Sequence, residues 1–584
     1  MKQFFKFAFA SALGVFMAAT LIFCLSIVAV IGIISQTEDK SFSLKPLSVL
    51  HLKLEGEIVE RSEDNPFAKV FSDYKSGAQG LDDILKAIDK AENNKNIKGI
   101  FLEFKLSETG LATYEEIRNR LIEFKKSGKF VVSYSDMYSQ KEYFVASVAD
   151  SIFINPVGMI DFRGLGGEPV FFKKALDKLG VEMQIFKVGT YKSAVEPFTC
   201  EKMSDANRAQ VTEYLNGLWK HMVNSIAVSR KISEDSLQAY ANRGITLQST
   251  DVLMKLKFAD KMIYRTDVWS HLKKMAKSDI NDEDKGLVAV EDLDKVTDDS
   301  PASGETIALV YAAGDIDGGK NAGIQSDQLA KELAKVKNDS TVKAVVLRVN
   351  SPGGSAFGSE QIWHEVAEIV KKKPVVVSMG DYAASGGYYI SCPATAIVAQ
   401  PTTITGSIGI FGMLPNVSKL TDKLGITFDE VSTNTFATTP SINRPMRADE
   451  KILFQSYIEK GYNLFVKRCA DGREVTTEKI ESVAQGHVWT GEKALKLGLV
   501  DKLGGIETAI KLAAQKAKLK DYQIENFPRK KEFYEKLMED ISTEASMALA
   551  KFYFGENFKH YLTLQNIQQQ KPIQARLPYI LEIE

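Results

Sequence analysis

Cysteine is scarce in this chain: Cys24, Cys200, Cys392 and Cys469 are the only four among 584 residues, and no two form a C-x-x-C pair. That spacing excludes a small disulfide-stapled fold and supplies no zinc or thiol-redox motif. An excess of one charge is also missing. Lys plus Arg (74) almost cancel Asp plus Glu (75), for a formal net charge of -1. The basic footprint of a nucleic-acid binder is therefore absent. Histidine is thin as well, with six residues: His51, His221, His271, His364, His487 and His560. None lies in a Gly-rich turn or beside a carboxylate motif, so a Ser-His-Asp triad has no positive support. It stays open only because triad members meet in space rather than in sequence. Neither a metal nor a cofactor is called for.

What the chain does have is length, about four domains' worth at a typical domain size. It also has one long uncharged run. From Phe7 to Ile34 no residue is charged, and as a helix this run would extend roughly 40 Å, against about 30 Å of hydrocarbon in a bilayer. Lys2 and Lys6 precede it, and Glu38, Asp39 and Lys40 follow. The positive-inside rule then places the N-terminus in the cytoplasm and the bulk of the chain outside. A cleaved signal peptide is the alternative, but the run is too long and its end, VIGIISQ (Val30 to Gln36), lacks an A-x-A site. Phe23 before Cys24 is too bulky for a lipidation site, which leaves a membrane-buried cysteine.

The rest of the chain is one unit written twice. Ile97–Phe104 (IKGIFLEF) aligns with Val342–Val349 (VKAVVLRV). The same register, without a gap, carries Val131-Val132-Ser133 onto Val376-Val377-Ser378, Asp136 onto Asp381, Tyr143 onto Tyr388, Ile152 onto Ile397 and Pro156 onto Pro401. In shifted registers, Glu55–Ile58 resembles Ala313–Ile316, and Leu256–Asp260 (LKFAD) resembles Leu497–Asp501 (LGLVD). In the second copy, Ile307–Tyr311, Ala344–Val349 and Val375–Ser378 read as buried strands and Ser359–Lys372 as a helix. Strands alternating with helices predict an α/β fold with parallel βαβ layers in both copies. The expected organisation is an anchor at 1–36, a first repeat at 45–276, an acidic, turn-rich linker at 277–305, a second repeat at 306–520 and an appendage at 521–584.

A duplicated fold that needs one site can lose chemistry from either copy, so the differences carry the functional information. After the strand ending at Asn350, the second copy has Ser351-Pro352-Gly353-Gly354-Ser355 where the first has Leu106-Ser107-Glu108-Thr109-Gly110. Adjacent glycines let a ligand approach backbone amides, as an oxyanion hole requires; an ordinary turn would look the same. Further on, Ser385-Gly386-Gly387 replaces Gln140-Lys141-Glu142. Ser385 falls where a strand turns into a helix, a place for a nucleophile facing exposed amides. It is equally a place for an N-cap, worth about 1 kcal/mol. The first copy offers Lys192 in VGTYKSAVEPF, where the second has Thr435 in VSTNTF. A lysine serves as a base only where burial or a nearby cation lowers its pKa; in a loop it is otherwise a solvated charge. Each copy thus holds a polar feature the other lacks.

With TGSIGIF (Thr405–Phe411) and VWTGEKALKLGLVDKLGG (Val488–Gly505), these motifs resemble the signal peptide peptidase A family in its long, duplicated form. These are membrane-anchored Ser-Lys peptidases of the Clp protease/crotonase-like superfamily. The resemblance extends from the apolar run to about Lys520. It implies a transmembrane helix followed by two tandem Clp protease/crotonase-like αβ repeats. It further implies Ser385 as nucleophile, Lys192 as general acid/base, Ser407 orienting the lysine, and the amides of Gly354 and Gly386 as the oxyanion hole, with Gly353 an alternative to Gly354. The implied setting is the bacterial inner membrane with the catalytic repeats outside, and a homotetramer acting on remnant signal peptides and other unstructured apolar peptides. Two other readings stay open: a crotonase-like acyl-CoA enzyme, although no CoA adenine site is evident, and a non-catalytic membrane scaffold.

Overall fold

The structure, a computed structural model, describes residues 3–22 apart from 5, 8, 12 and 19, then 44–62, 78–280, 286–296, 304–319, 323–529 and 573–576. Residues 23–34 of the apolar run lie outside the described residues. The part of the run that is described is helical and presents large apolar side chains outward, among them Phe7, Phe9, Phe16 and Ile22. Among the described residues no helix is long and apolar enough to cross a membrane.

Two compact units are present, and they do not follow chain order. The smaller comprises Met1–Ser107, Phe124–Val132 and Arg265–Asp299; the larger comprises Glu108–Glu123, Ser133–Tyr264 and Ser300–Glu584. In the smaller unit the strand Ser48–Val59 buries Val49, Leu50, Leu52 and Leu54 and pairs in parallel with Gln79–Gly80 and with Leu287–Ala289. The stretch expected to link the repeats therefore contributes a strand of its own. Buried Glu103 is held there by His51 Nε2 at 2.8 Å and Arg265 Nε at 2.5 Å.

The elements of the larger unit that bear on function are, in chain order, helix α1 (Leu111–Lys125), strand β1 (Glu182–Lys187), helix α2 (Asp205–Arg230), strands β2 (Thr306–Ala313), β3 (Val342–Ser351) and β4 (Gly353–Ser355), helix α3 (Ala356–Val370), strand β5 (Val375–Ala384), helix α4 (Gly386–Ser391), strands β6 (Ala396–Ala399), β7 (Ile404–Gly406) and β8 (Phe411–Asn416), helix α5 (Ala448–Gly472), strands β9 (Val488–Thr490) and β10 (Lys502–Leu503), helix α6 (Ile506–Ala517), and strands β11 (Gln523–Phe527) and β12 (Ile573–Arg576). An eight-stranded sheet runs β9-β7-β5-β3-β2-β11, with β6 beside β5 and β10 beside β6. Its pairings are parallel except β7 with β9. The expected strands of the second repeat are all present, each extended by a few residues.

The reason is visible in β3, whose apolar run is covered on both faces, as parallel strands require. Val345, Leu347 and Val349 face the core that includes Ile362, Val366 and Ile369 of α3 and Ile458 and Phe465 of α5. Ala344 and Val346 face Ala509, Ala513 and Ala514 of α6. Each fully buried Val, Leu or Ile contributes about 1.5–3 kcal/mol relative to exposure. Arg348 shares the α6 side of β3 and is completely buried. Its Nη2 donates to Glu116 Oε2 of α1 at 2.9 Å and its Nη1 to Ser378 Oγ at 2.9 Å. Asp381 on β5 accepts from the Thr113 amide at 2.9 Å, so the first turn of α1 is fastened just before the end of β5. The segment assigned to the appendage supplies β11, which extends the sheet beside β2, and β12.

A second, antiparallel sheet of four strands runs β4-β12-β8-β1. It carries the loops on which the polar residues of interest sit.

Glu116→Ala strands the Arg348 charge in the interior and should cost about 3–5 kcal/mol by chemical denaturation. The paired replacement Glu116→Leu/Arg348→Met should recover most of that loss.

Candidate active site

Ser385 follows the last residue of β5 and precedes α4. Its backbone is left-handed, with φ 55° and ψ -113°, and its side chain makes no capping bond to α4. The N-cap reading of this serine is therefore overturned. The first repeat shows what a cap at the equivalent corner looks like. There Ser139 accepts from the Glu142 amide and Glu142 returns the bond, closing a capping box. The second repeat forgoes that bond, worth about 1 kcal/mol, and accepts a strained φ costing on the order of 1–3 kcal/mol. In exchange the hydroxyl points elsewhere.

It points at Lys192. The Nζ of Lys192 lies 2.8 Å from Ser385 Oγ, 3.0 Å from Ser407 Oγ and 3.1 Å from the Ser407 carbonyl oxygen. Lys192, Ser385 and Ser407 are all fully buried. Burial pushes the lysine amine well below its ordinary range, and no carboxylate offsets that effect. A neutral amine has two N–H groups and one lone pair. The two Ser407 oxygens can take the N–H groups, which leaves the lone pair for the Ser385 hydroxyl proton.

Several contacts hold the lysine in place, and sequence reasoning singled out none of them. Gln210, on the buried face of α2, donates through Nε2 to the Tyr191 carbonyl at 2.9 Å and to Ser193 Oγ at 3.0 Å. Its Oε1 accepts from the Val488 amide at 3.2 Å. The segment Gln485–Val488 is a strap between the lysine and Ser407. Tyr191 N donates to Gln485 O at 2.9 Å, Gly486 N to Ile408 O at 2.8 Å and Ser407 N to His487 O at 2.6 Å. Gly486 has φ +77°, and a Cβ there would lie 2.6–2.7 Å from the backbone N, Cα and Cβ of Lys192. His487 thus serves through its carbonyl, while its ring stacks on Trp489 and lies tilted against Tyr191. A glutamine on a long helix carries no sequence signal. The Gly486-His487 pair directly before VWTG did offer one.

The glycine turn lies against the start of α4. A Cβ at Gly387 would sit 2.6 Å from the Ser351 carbonyl oxygen, so these two backbones approach closely only because Gly387 has no side chain. The Gly353 amide donates to Ser351 Oγ at 3.1 Å, and the Gly353 carbonyl accepts from Ile316 N at 2.9 Å. Gly354, with φ +153°, comes so close to the Ile316 carbonyl that any side chain would collide with it. Gly386 opens α4 directly after Ser385. All five residues singled out in the sequence fall within the larger unit. The structure brings Lys192, Ser385 and Ser407 into direct contact. Among the described residues no group of three or more His, Cys, Asp or Glu side chains is arranged to hold a metal ion.

An alcohol in contact with a buried amine whose pKa is lowered is a working arrangement for a serine hydrolase. The model of peptidase family S49 matches this chain twice, over residues 123–279 and 367–520. The chain belongs to peptidase family S49 and is a serine protease. Protease 4 of Salmonella typhi is 37% identical over 530 residues, covering 88% of this chain and 85% of that protein. Protease 4 of Haemophilus influenzae is 36% identical over 513 residues, covering 84% and 83%. The chloroplastic serine protease SPPA of Arabidopsis thaliana is 30% identical over 489 residues, covering 81% and 69%. Among solved structures, a Listeria monocytogenes ClpP1 mutant matches with a TM-score of 0.24 and 15% identity, over 35% of this chain and 94% of that one.

Two outcomes follow from the way Lys192 is enclosed. Gly486→Ala should lower stability by about 1–3 kcal/mol, read from the denaturation midpoint, because alanine must adopt a left-handed φ. Lys192→Met should raise stability at neutral pH. In the unfolded wild-type chain the lysine binds a proton that the folded site refuses, so wild-type stability climbs with pH from the lowered folded pKa up to the ordinary value of 10.5. The methionine variant lacks that slope, and its advantage should shrink as pH approaches 10.

Proposed function

We propose that this protein is a Ser-Lys endopeptidase in which Ser385 attacks the peptide carbonyl and Lys192 moves the proton. The observation that carries the reading is the 2.8 Å contact between Lys192 Nζ and Ser385 Oγ inside a buried site. Neutral Lys192 accepts the Ser385 proton as Oγ bonds to the carbonyl carbon. The lysine then protonates the departing amine as the C–N bond breaks. A water activated by the same amine hydrolyses the resulting ester and restores both groups. Ser407 orients the amine through its two oxygens. The amides of Gly354 and Gly386 receive the oxyanion, each such donor typically being worth about 3 kcal/mol. The choice of Gly354 over Gly353 is supported by the Gly353 amide already being bonded to Ser351 Oγ.

The substrate class follows from the four-stranded sheet. Strands β4 and β8 flank a place one strand wide beside these residues, which the extended strand β12 fills here through main-chain pairing. An extended, unstructured peptide fits such a place through its main chain, and a folded protein does not. Remnant signal peptides are substrates of this kind, and the resemblance to signal peptide peptidase A favours them. The remaining parts of the reading are a cytoplasmic N-terminus, a single membrane anchor at 1–36 and catalytic repeats outside the bacterial inner membrane. One repeat (45–276) supplies Lys192 and the other (306–520) Ser385, in a homotetramer. The outward apolar side chains of the N-terminal helix support the anchor. Two inward-facing polar partners for one buried amine argue against a passive scaffold.

Purified protein should hydrolyse unstructured apolar peptides, and a serine-directed acylating probe should label Ser385. Ser385→Ala or Lys192→Ala should each lower kcat by on the order of 10⁴-fold or more with the fold intact by circular dichroism. Full activity in either variant overturns the dyad. The wild-type kcat/KM should rise with pH as Lys192 loses its proton, then level off, because the amine must be neutral to act.

A further inference from the structure

Glu196 is a buried carboxylate a few residues after Lys192 on the same loop, and the chemistry derived so far makes no use of it. Its Oε1 accepts from the Ser204 hydroxyl at 2.5 Å. Its Oε2 accepts from the Ser204 amide at 3.1 Å and from Asn207 Nδ2 at 2.9 Å. Ser204 in turn caps α2 by accepting from the Asn207 amide at 3.2 Å. A carboxylate at a helix N-terminus is favourable in its own right, so these contacts alone would serve only stability.

The bonds continue past the cap, toward the lysine. Asn207 and Gln210 lie three residues apart on α2 and therefore on one face, and both are buried. Asn207 Oδ1 accepts from Gln210 Nε2 at 3.2 Å. That same Nε2 donates to Tyr191 O and Ser193 Oγ, one residue to either side of Lys192. The loop is thus pinned to α2 at two points, Glu196 and Tyr191–Ser193, and the bond between Asn207 and Gln210 joins them. The bonds also have a direction. A carboxylate offers acceptors only, while a side-chain amide has one donor end and one acceptor end. Glu196 takes the donor end of Asn207, which leaves the Asn207 oxygen facing Gln210. The donor end of Gln210 then meets the loop, and its Oε1 meets the Val488 amide of the strap.

We infer that Glu196 is a positioning residue: through Asn207 and Gln210 it holds the backbone on both sides of Lys192, and so holds the amine against Ser385. The inference rests on the dyad reading given above. A displacement of about 1 Å at a reacting group costs on the order of 10²-fold in rate. Binding of a peptide through its main chain does not involve this loop, so the effect belongs in kcat and leaves KM alone.

The test uses the full-length chain with an unstructured peptide as substrate. Glu196→Gln keeps an acceptor for Ser204 but sets one NH2 group against that of Asn207, and a turn of the Asn207 amide only passes the clash on to Gln210. This variant should lose about tenfold or more in kcat at unchanged KM. Rates are taken per site titrated with a serine-directed acylating probe, so that a loss of folded protein does not register. The exchange Glu196→Gln/Asn207→Asp removes the clash, because a carboxylate at position 207 accepts from both neighbours, and it should restore most of the lost kcat. Asn207→Leu, which lacks both bonds, should lose kcat in the same way and decides the matter if Glu196→Gln does not fold. An unchanged kcat per site in a folded single variant overturns the inference. So does an exchange variant no faster than Glu196→Gln. Failure of the dyad reading looks different: the wild type would then show no hydrolysis that Ser385→Ala removes.

Discussion

Everything around the site depends on keeping one amine dry. A lysine in water holds its proton through the neutral range and cannot take another from an alcohol. Removal from solvent is what lowers the Lys192 pKa here, and on the proposed mechanism that is what fits the amine to act as a base. The close approaches near Lys192 follow from this demand. Gly486 lies against its backbone and Gly409 against the middle of its side chain. Gln210 fastens the flanking peptide from behind. Ser407 satisfies the amine without introducing a carboxylate that would stabilise its charged form.

The duplication explains how such a pocket is assembled. Lys192 and Ser385 occupy different copies of the repeat but the same compact unit, and that unit also contains Leu111–Glu123 of α1 from the first copy. The first copy keeps an ordinary capped helix where the second has Ser385. Each copy has thus retained the element the other gave up, and the buried contacts of Arg348 with Glu116 and of Asp381 with Thr113 fix parts of the first copy onto the strands that lead to Ser385.

Much of this is legible in the amino-acid sequence alone. The repeat register, the alternation of strands and helices, and the complementary losses at Ser385 and Lys192 all show in residue identity, because burial on both faces of a parallel strand and the geometry of a Gly-Gly turn restrict which residues can occur. Three things were not legible. The N-cap and nucleophile readings of Ser385 begin from the same strand-to-helix corner, and only the direction of the hydroxyl separates them. Gln210 acts from the inner face of a long helix, where a buried amide looks like any other polar residue in a pattern. The pairing of Ile573–Arg576 leaves no trace in periodicity, since four residues held by their backbone on both sides need no alternation of polar and apolar side chains.

The left-handed backbone at Ser385, shared by Ser407 at φ 51°, has an evolutionary consequence. Glycine would occupy either position with less strain, so each serine is kept against a local thermodynamic preference. On the mechanism proposed above, a lineage relieved of selection for catalysis would shed backbone strain by drifting to glycine at Ser385, whereas at Ser407 the same change would also strip a partner from the buried amine. In a descendant of this fold, loss of the Ser385 hydroxyl would on that mechanism be an early mark of retirement from catalysis, ahead of any erosion of the core.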